Sequence, residues 1–188
     1  MFTFVTGLMG AGKSTRLIRE VEGDQGAGWA TLVLTAGSRV DGLITTRNGE
    51  VMTAAPYALE TALSWAIKHP GQFSTVYVDE AQFLSEDDVL MLIVALRAYE
   101  VDVVFYGLLT TFKTELWPGS AMALRLAQRI EHLPAPQCET CKSSVAQFNA
   151  RYTPDGVQDT DGPLVALDNS TAYLYVNQCI SCYAEKEM

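Results

Sequence analysis

No two lysine or arginine residues are adjacent anywhere in this chain, and 13 of them stand against 22 acidic residues, a net charge of −9. A nucleic-acid duplex or an anionic membrane surface demands a basic patch; neither is expected as a partner. No apolar stretch approaches the ~20 residues of a transmembrane helix. The first apolar run begins at Phe2, which leaves no room for a signal or transit peptide. The expected compartment is the cytoplasm, where disulfides seldom persist, so the sequon Asn169-Ser170-Thr171 reads as coincidence. Histidines number two, His69 and His132, the latter six residues before Cys138; a lone histidine is more often a surface or core residue than a ligand. No internal repeat and no N-K-x-D guanine-reading motif occurs, which argues against a GTPase.

What the chain does contain is a complete phosphate-binding loop, Gly7-Leu8-Met9-Gly10-Ala11-Gly12-Lys13-Ser14-Thr15. Glycines let successive backbone N–H groups turn inward around phosphates, and the helix that follows presents its positive end to them. Lys13 then reaches the β/γ-phosphates and the Ser14 hydroxyl is placed for Mg²⁺. The flanks agree: Phe2 to Val5 reads as a buried strand, and Leu17, Ile18 and Val21 form one helix face. The loop implies a nucleoside triphosphate.

Apolar runs then alternate with helical stretches. A strand over 30–35 follows a glycine-rich turn at 23–28, and residues 56–68 carry an apolar helical face of Tyr57, Leu59, Ala62, Leu63, Ala66 and Ile67. A strand over 76–78, an acidic capped helix start at Ser85 to Asp88, a helix over 89–98 and a strand over 101–106 come next. This order predicts an α/β fold, a parallel sheet flanked by helices. Beyond Pro134-Ala135-Pro136 the chain becomes turn-rich, with extended structure expected over 165–176. The expected division is a phosphate-binding domain over 1–137 and a small clamped domain over 138–188.

Two clusters carry further chemistry. Asp79 and Glu80 end an apolar strand, at the edge where open α/β sheets bind ligands. The first acid of such a pair typically serves Mg²⁺; the second is placed as a base toward water or a substrate hydroxyl. The pair alone does not choose between them. Cys138-x2-Cys141 and Cys179-x2-Cys182 are two knuckles with residues 142–178 between them. Each presents two sulfurs from one turn, and together they complete a tetrahedral Zn²⁺ site with no open position, hence structural. The spacer exceeds the ~15–20 residues of a common ribbon, which suggests a loop held at its base.

The phosphate loop, Asp79-Glu80-Ala81-Gln82-Phe83-Leu84, Tyr106-Gly107-Leu108-Leu109-Thr110-Thr111-Phe112 and the two cysteine pairs occur in one order. Together they closely resemble the thymidine kinase family of the tetrameric, zinc-containing type, over nearly the whole chain. The resemblance implies transfer of the ATP γ-phosphate to the 5′-hydroxyl of thymidine or deoxyuridine, as in nucleotide salvage, by a cytoplasmic homotetramer. It makes Glu80 the general base and Asp79 the Mg²⁺-associated acid. Phe83 and Phe112 match aromatics flanking the nucleoside, and Met9 and Leu108 match apolar walls near the base. The segment between the knuckles matches a lasso that closes over the base; Tyr175 matches its tyrosine, and Asn149 falls where the family often has a threonine. Arg39 matches an arginine after the second strand that neutralises phosphate charge, a role Arg47 could equally take. The chain departs from the pattern at Gly37, usually aspartate, and at Asp168 to Thr171, where the family tends to carry a glycine pair. The rival readings are a P-loop ATPase, an adenylate-type nucleoside-monophosphate kinase with a zinc-bound lid, and a nucleotide-gated module without turnover.

Overall fold

A computed structural model describes residues 1–37, 42–71, 73–164 and 173–184. The chain runs β1 (Phe2–Thr6), α1 (Lys13–Gly26), β2 (Ala30–Thr35), β3 (Leu43–Thr45), β4 (Val51–Thr53), β5 (Ala55–Pro56), α2 (Leu59–Lys68), β6 (Ser74–Asp79), α3 (Glu86–Arg97), β7 (Asp102–Gly107), α4 (Pro118–Leu126), β8 (Arg129–His132), β9 (Phe148–Tyr152), β10 (Leu174–Gln178) and α5 (Ile180–Ala184). Six strands form one parallel sheet in the order β5-β2-β6-β7-β1-β8. β3 and β4 make one antiparallel hairpin, β9 and β10 another. The expected α/β fold is observed.

Both faces of the sheet are covered, which explains why its strands are apolar throughout rather than alternating. The period of two still sorts side chains between the faces. Phe4, Leu34, Val76, Val78 and Phe105 pack with Ala62, Ala66, Leu92 and Leu96 beneath α2 and α3. Their neighbours Val5, Val33, Tyr77 and Tyr106 pack with Leu17, Ile18 and Val21 of α1. Three acids open α3, and a capping box closes on them: Asp88 N–H donates to Ser85 Oγ (3.1 Å) and Ser85 N–H to Asp88 Oδ2 (3.1 Å).

Some sequence boundaries move. The glycine-rich turn shrinks, because α1 continues through Gly23 to Gly26. The helix expected over 56–68 starts at Leu59, since Pro56 extends the edge strand β5 against Thr35, a place where proline is tolerated. Ile67, read as part of the apolar face, is 60% exposed. The capped, acidic start expected at Ser85 to Asp88 is observed, and α3 runs from Glu86 to Arg97. In the C-terminal region the extended structure is β10; residues 165–172 lie outside the described residues.

The turn after β6 is held by α4. A Cβ on Gly119 would lie 2.5 Å from the carbonyl oxygens of both Ala81 and Leu84. Backbone atoms on two sides leave only glycine room. Gly119→Ala is expected to destabilise by about 1–3 kcal/mol, lowering Tm by roughly 2–4 °C per kcal/mol. An unchanged melting temperature would show that α4 does not dock this tightly.

Candidate active site

The carboxyl ends of β1, β6 and β7 open onto a cavity of about 930 Å³. Its floor is the loop between β1 and α1. Gly10 (φ 73°) and Gly12 (φ 90°) lie in the left-handed region, which other residues adopt only at a cost. Gly12 is also the N-cap of α1 and offers no capping side chain. Among the described residues the first N–H groups of this 14-residue helix therefore have no capping side chain, and no acid sits in its first turn. That is the electrostatics of a phosphate cradle.

Lys13 Nζ donates to the carbonyls of Gly7 and Leu8, each at 2.9 Å. Burial pulls its pKa down, and nearby Arg47 adds to that, while Glu80 and Asp79 push it back up. Lys13, Arg47 and Glu80 thus meet at one end of the cavity, and Asp79 is close enough to act on Lys13. Arg47 comes from the segment after β3 and lies so close over Gly10 that a Cβ there would meet its guanidinium at 2.7 Å.

Asp79 ends β6 and is buried, whereas Glu80 borders the cavity. Glu80 sits at φ 55°, ψ 35°, an uncommon conformation for a residue with a side chain, and such strain clusters at functional sites. It caps the short 3₁₀ turn Ala81–Phe83. Buried Gln82 grips it: Nε2 donates to Glu80 Oε2 at 2.5 Å, and Oε1 accepts the Leu108 N–H at 3.0 Å. The amide therefore ties the end of β6 to the end of β7. Gly107 makes this possible, since a Cβ there would sit 2.9 Å from Gln82 Oε1. Gly37, the departure noted from sequence, lies against Glu80, its virtual Cβ 3.3 Å from Glu80 Cγ. An aspartate at 37 would crowd the carboxylate.

The opposite wall is aromatic. Phe83, Phe112, Leu108, Met9, Asn149 and Tyr175 all line the cavity together with Lys13, Ser14 and Glu80. Phe83 meets Trp117 edge-on, centroids 5.4 Å apart at 76°. Phe112 is buried beneath the Arg151 guanidinium, 3.6 Å from its centroid, and its carbonyl accepts from Tyr183 Oη at 2.8 Å. Gly7, Ala11 and Asp79 do not border the cavity; Arg39 lies outside the described residues. Sequence reasoning gave no role to Gln82 and did not name Trp117, Leu164 or the hairpin residues Leu43, Thr45, Thr46 and Asn48, all of which also line the cavity. It also missed what Asn149 does: its Oδ1 accepts the Met9 N–H at 2.9 Å.

Arg151 is itself fully buried, stacked between Phe112 and Tyr173 (4.4 Å) and paired through Nη2 with Asp159 Oδ2 at 2.7 Å. Its Nη1 donates to the Pro163 carbonyl at 2.7 Å, so one side chain anchors the turn over 159–163 to the aromatic wall. Burial alone would raise the Asp159 carboxyl. The Gly162 N–H, the Arg151 hydrogen bond and charge, and the Asp161 N–H outweigh it and hold the group below its ordinary 3.8. A carboxyl depressed in the folded state contributes stability above 3.8 that is lost as pH falls through the lower, folded value. NMR titration is expected to find Asp159 ionising below 3.8; a value at or above it would contradict the pairing.

The four cysteines form a separate cluster. Their sulfurs all lie within 4.8 Å of one another, and Cys141 Sγ is 3.8 Å from Cys179 Sγ. All four are free thiols. A tetrahedron of ~2.3 Å Zn–S bonds has edges of about 3.8 Å, so the donor set fits zinc in chemistry and spacing. Hydrogen bonds, chiefly from Ser143, hold the Cys141 thiol down at about 5, while burial pushes Cys182 up to about 12.

A sequence profile of the family described as "Thymidine kinase" matches residues 1–183. Curated relatives named "Thymidine kinase" agree over most of their length. One from Xanthomonas oryzae pv. oryzae (strain MAFF 311018) is 31% identical over 93% of this chain and 86% of its own. One from Bacillus subtilis subsp. natto is 31% identical over 98% and 97%, and one from Streptomyces coelicolor 31% over 87% and 77%. The match runs through phosphate loop, acidic strand end and cysteine knuckles alike: the chain belongs to the thymidine kinase family and is an ATP-dependent phosphotransferase.

Proposed function

We propose that this chain moves the γ-phosphate of ATP to the 5′-hydroxyl of thymidine or deoxyuridine, with Glu80 as the base. The observation that carries this reading is the position of Glu80. It is fixed by Gln82 on a cavity bordered on one side by Lys13 and Ser14 and on the other by Phe83 and Phe112. A flat pyrimidine suits the aromatic wall, and the hydroxyl it carries then meets the carboxylate. Lys13 leaves the loop carbonyls for phosphate oxygens as ATP enters. Ser14 and Asp79 offer the hard oxygen donors that Mg²⁺ takes; when bound, the ion neutralises phosphate charge. Gly7 to Thr15 supply the phosphate cradle.

Arg47 takes the neutralising role that the family resemblance gave to Arg39, because its guanidinium lies over Gly10. Arg47→Ala is expected to lower kcat by ~10²-fold, and wild-type turnover in that variant would remove it from the site. Residues 138–188 act as the zinc-clamped lasso unit against a phosphate-binding unit of 1–137, and closure over the base excludes water. Exposed Leu90, Met91 and Val94 on α3 support assembly of copies, as in a homotetramer. No helix among the described residues is long and apolar enough to cross a membrane, and a cytoplasmic enzyme is the accompanying proposal. ADP formation is expected to depend on both thymidine and Mg²⁺; equal ADP release without nucleoside would overturn the kinase assignment.

A further inference from the structure

Asn149 and Asn177 face each other across the β9–β10 hairpin, both buried, and both reach one residue of the phosphate loop. Asn149 Oδ1 accepts the Met9 N–H at 2.9 Å, and Asn177 Nδ2 donates to the Met9 carbonyl at 3.1 Å. Met9 is thus held at its N–H and at its carbonyl, on the two peptide groups that flank its Cα, by two side chains from the far end of the sequence. Asn177 is also fastened to the first cysteine knuckle. Its Nδ2 donates to Glu139 Oε1 (3.2 Å), its backbone N–H to Glu139 Oε2 (3.3 Å), and the Glu139 N–H returns to the Asn177 carbonyl (2.8 Å). Glu139 follows Cys138, and Asn177 lies two residues before Cys179.

The orientation of the Asn177 amide is dictated by these partners. Both Nδ2 hydrogens have acceptors, while buried Oδ1 has no hydrogen-bond partner among the described residues. A flipped amide would press an oxygen against the Met9 carbonyl and the Glu139 carboxylate, two acceptors. Donation therefore fixes the side chain. A second strap runs alongside, Gln178 Nε2 to Thr140 Oγ1 at 2.8 Å.

We propose that Asn149 and Asn177 are positioning residues that clamp the Met9 backbone on both sides of its Cα and couple the cysteine knuckles to the phosphate loop. Metal loading of the knuckles then sets how tightly the loop is held before any nucleotide arrives. The proposal rests on the knuckles holding a metal and not on the assignment of Glu80 or of thymidine.

Hydrogen exchange at the Met9 amide, read by mass spectrometry on the unliganded chain, tests it. Asn149→Leu removes the acceptor of that N–H, and Asn177→Asp keeps the shape but turns donation into repulsion. Each is expected to speed Met9 exchange by about tenfold. Chelating the metal from the unaltered protein is expected to speed the same amide, and to add less than about twofold in either variant. Unchanged Met9 exchange in a folded variant would overturn the clamp. Unchanged exchange on chelating the unaltered protein, or equal acceleration by chelation in variant and parent, would overturn the coupling. Should one variant fail to fold, the other and the chelated parent decide. Turnover plays no part in the readout, so failure of the catalytic assignment would be seen separately.

Discussion

Replacing Glu80 with glutamine lowers turnover by ~10²–10⁴-fold and leaves ATP affinity within about twofold. The substitution is close to isosteric. A glutamine keeps an oxygen for Gln82 Nε2, which now donates at 2.5 Å, and inherits the same left-handed backbone, φ 55°. What it removes is the proton acceptor and one of the two carboxylates that raise the Lys13 pKa. Without Glu80 the Lys13 pKa falls further, because burial and Arg47 already lower it. The variant should therefore lose ATP binding at a lower alkaline pH than the parent. Measuring kcat and the ATP dissociation constant across pH separates the two effects. Near-parental kcat would remove Glu80 as the base; an unmoved alkaline limb would remove its influence on Lys13.

Cys138→Ser is expected to empty the knuckles and lower Tm by about 10 °C. The serine oxygen is a poorer ligand than a thiolate, and the remaining three sulfurs lie within 4.8 Å of one another with less cationic charge to hold them together. Structural zinc binding is itself folding free energy. A loss of about 3 kcal/mol at roughly 2–4 °C per kcal/mol gives the stated shift. The damage should spread, because Cys138 adjoins Glu139, and Glu139 is tied to Asn177. Elemental analysis with thermal melting checks this. Full metal content in a folded Cys138→Ser protein would show that four sulfurs are not the ligand set.

The phosphate loop, Asp79-Glu80 and the cysteine knuckles were legible because each is a short motif whose spacing is dictated by local geometry. Apolar strands announced a covered sheet for the same reason: Phe4 and Val5 must both be buried, on opposite faces. Arg47 was named as a candidate, but its place over Gly10 depends on the β3–β4 segment, whose three-residue strands carry little pattern. Trp117 borders the cavity from the N-cap of α4, a helix whose docking through Gly119 no local pattern announces. The Asn177–Met9 bond joins residues 168 apart, and no local signal marks an asparagine as a clamp. Asn149 shows the same limit: family resemblance put it near the base, while the structure gives its Oδ1 a loop N–H to accept.

The account stands or falls on where the γ-phosphate goes. Label carried by the ATP γ-phosphate should be followed with thymidine, with deoxycytidine, with AMP and with no acceptor. The account predicts labelled thymidine monophosphate and little hydrolysis when no acceptor is present. Label released as free phosphate at the same rate whatever the acceptor would make Glu80 an activator of water and contradict it.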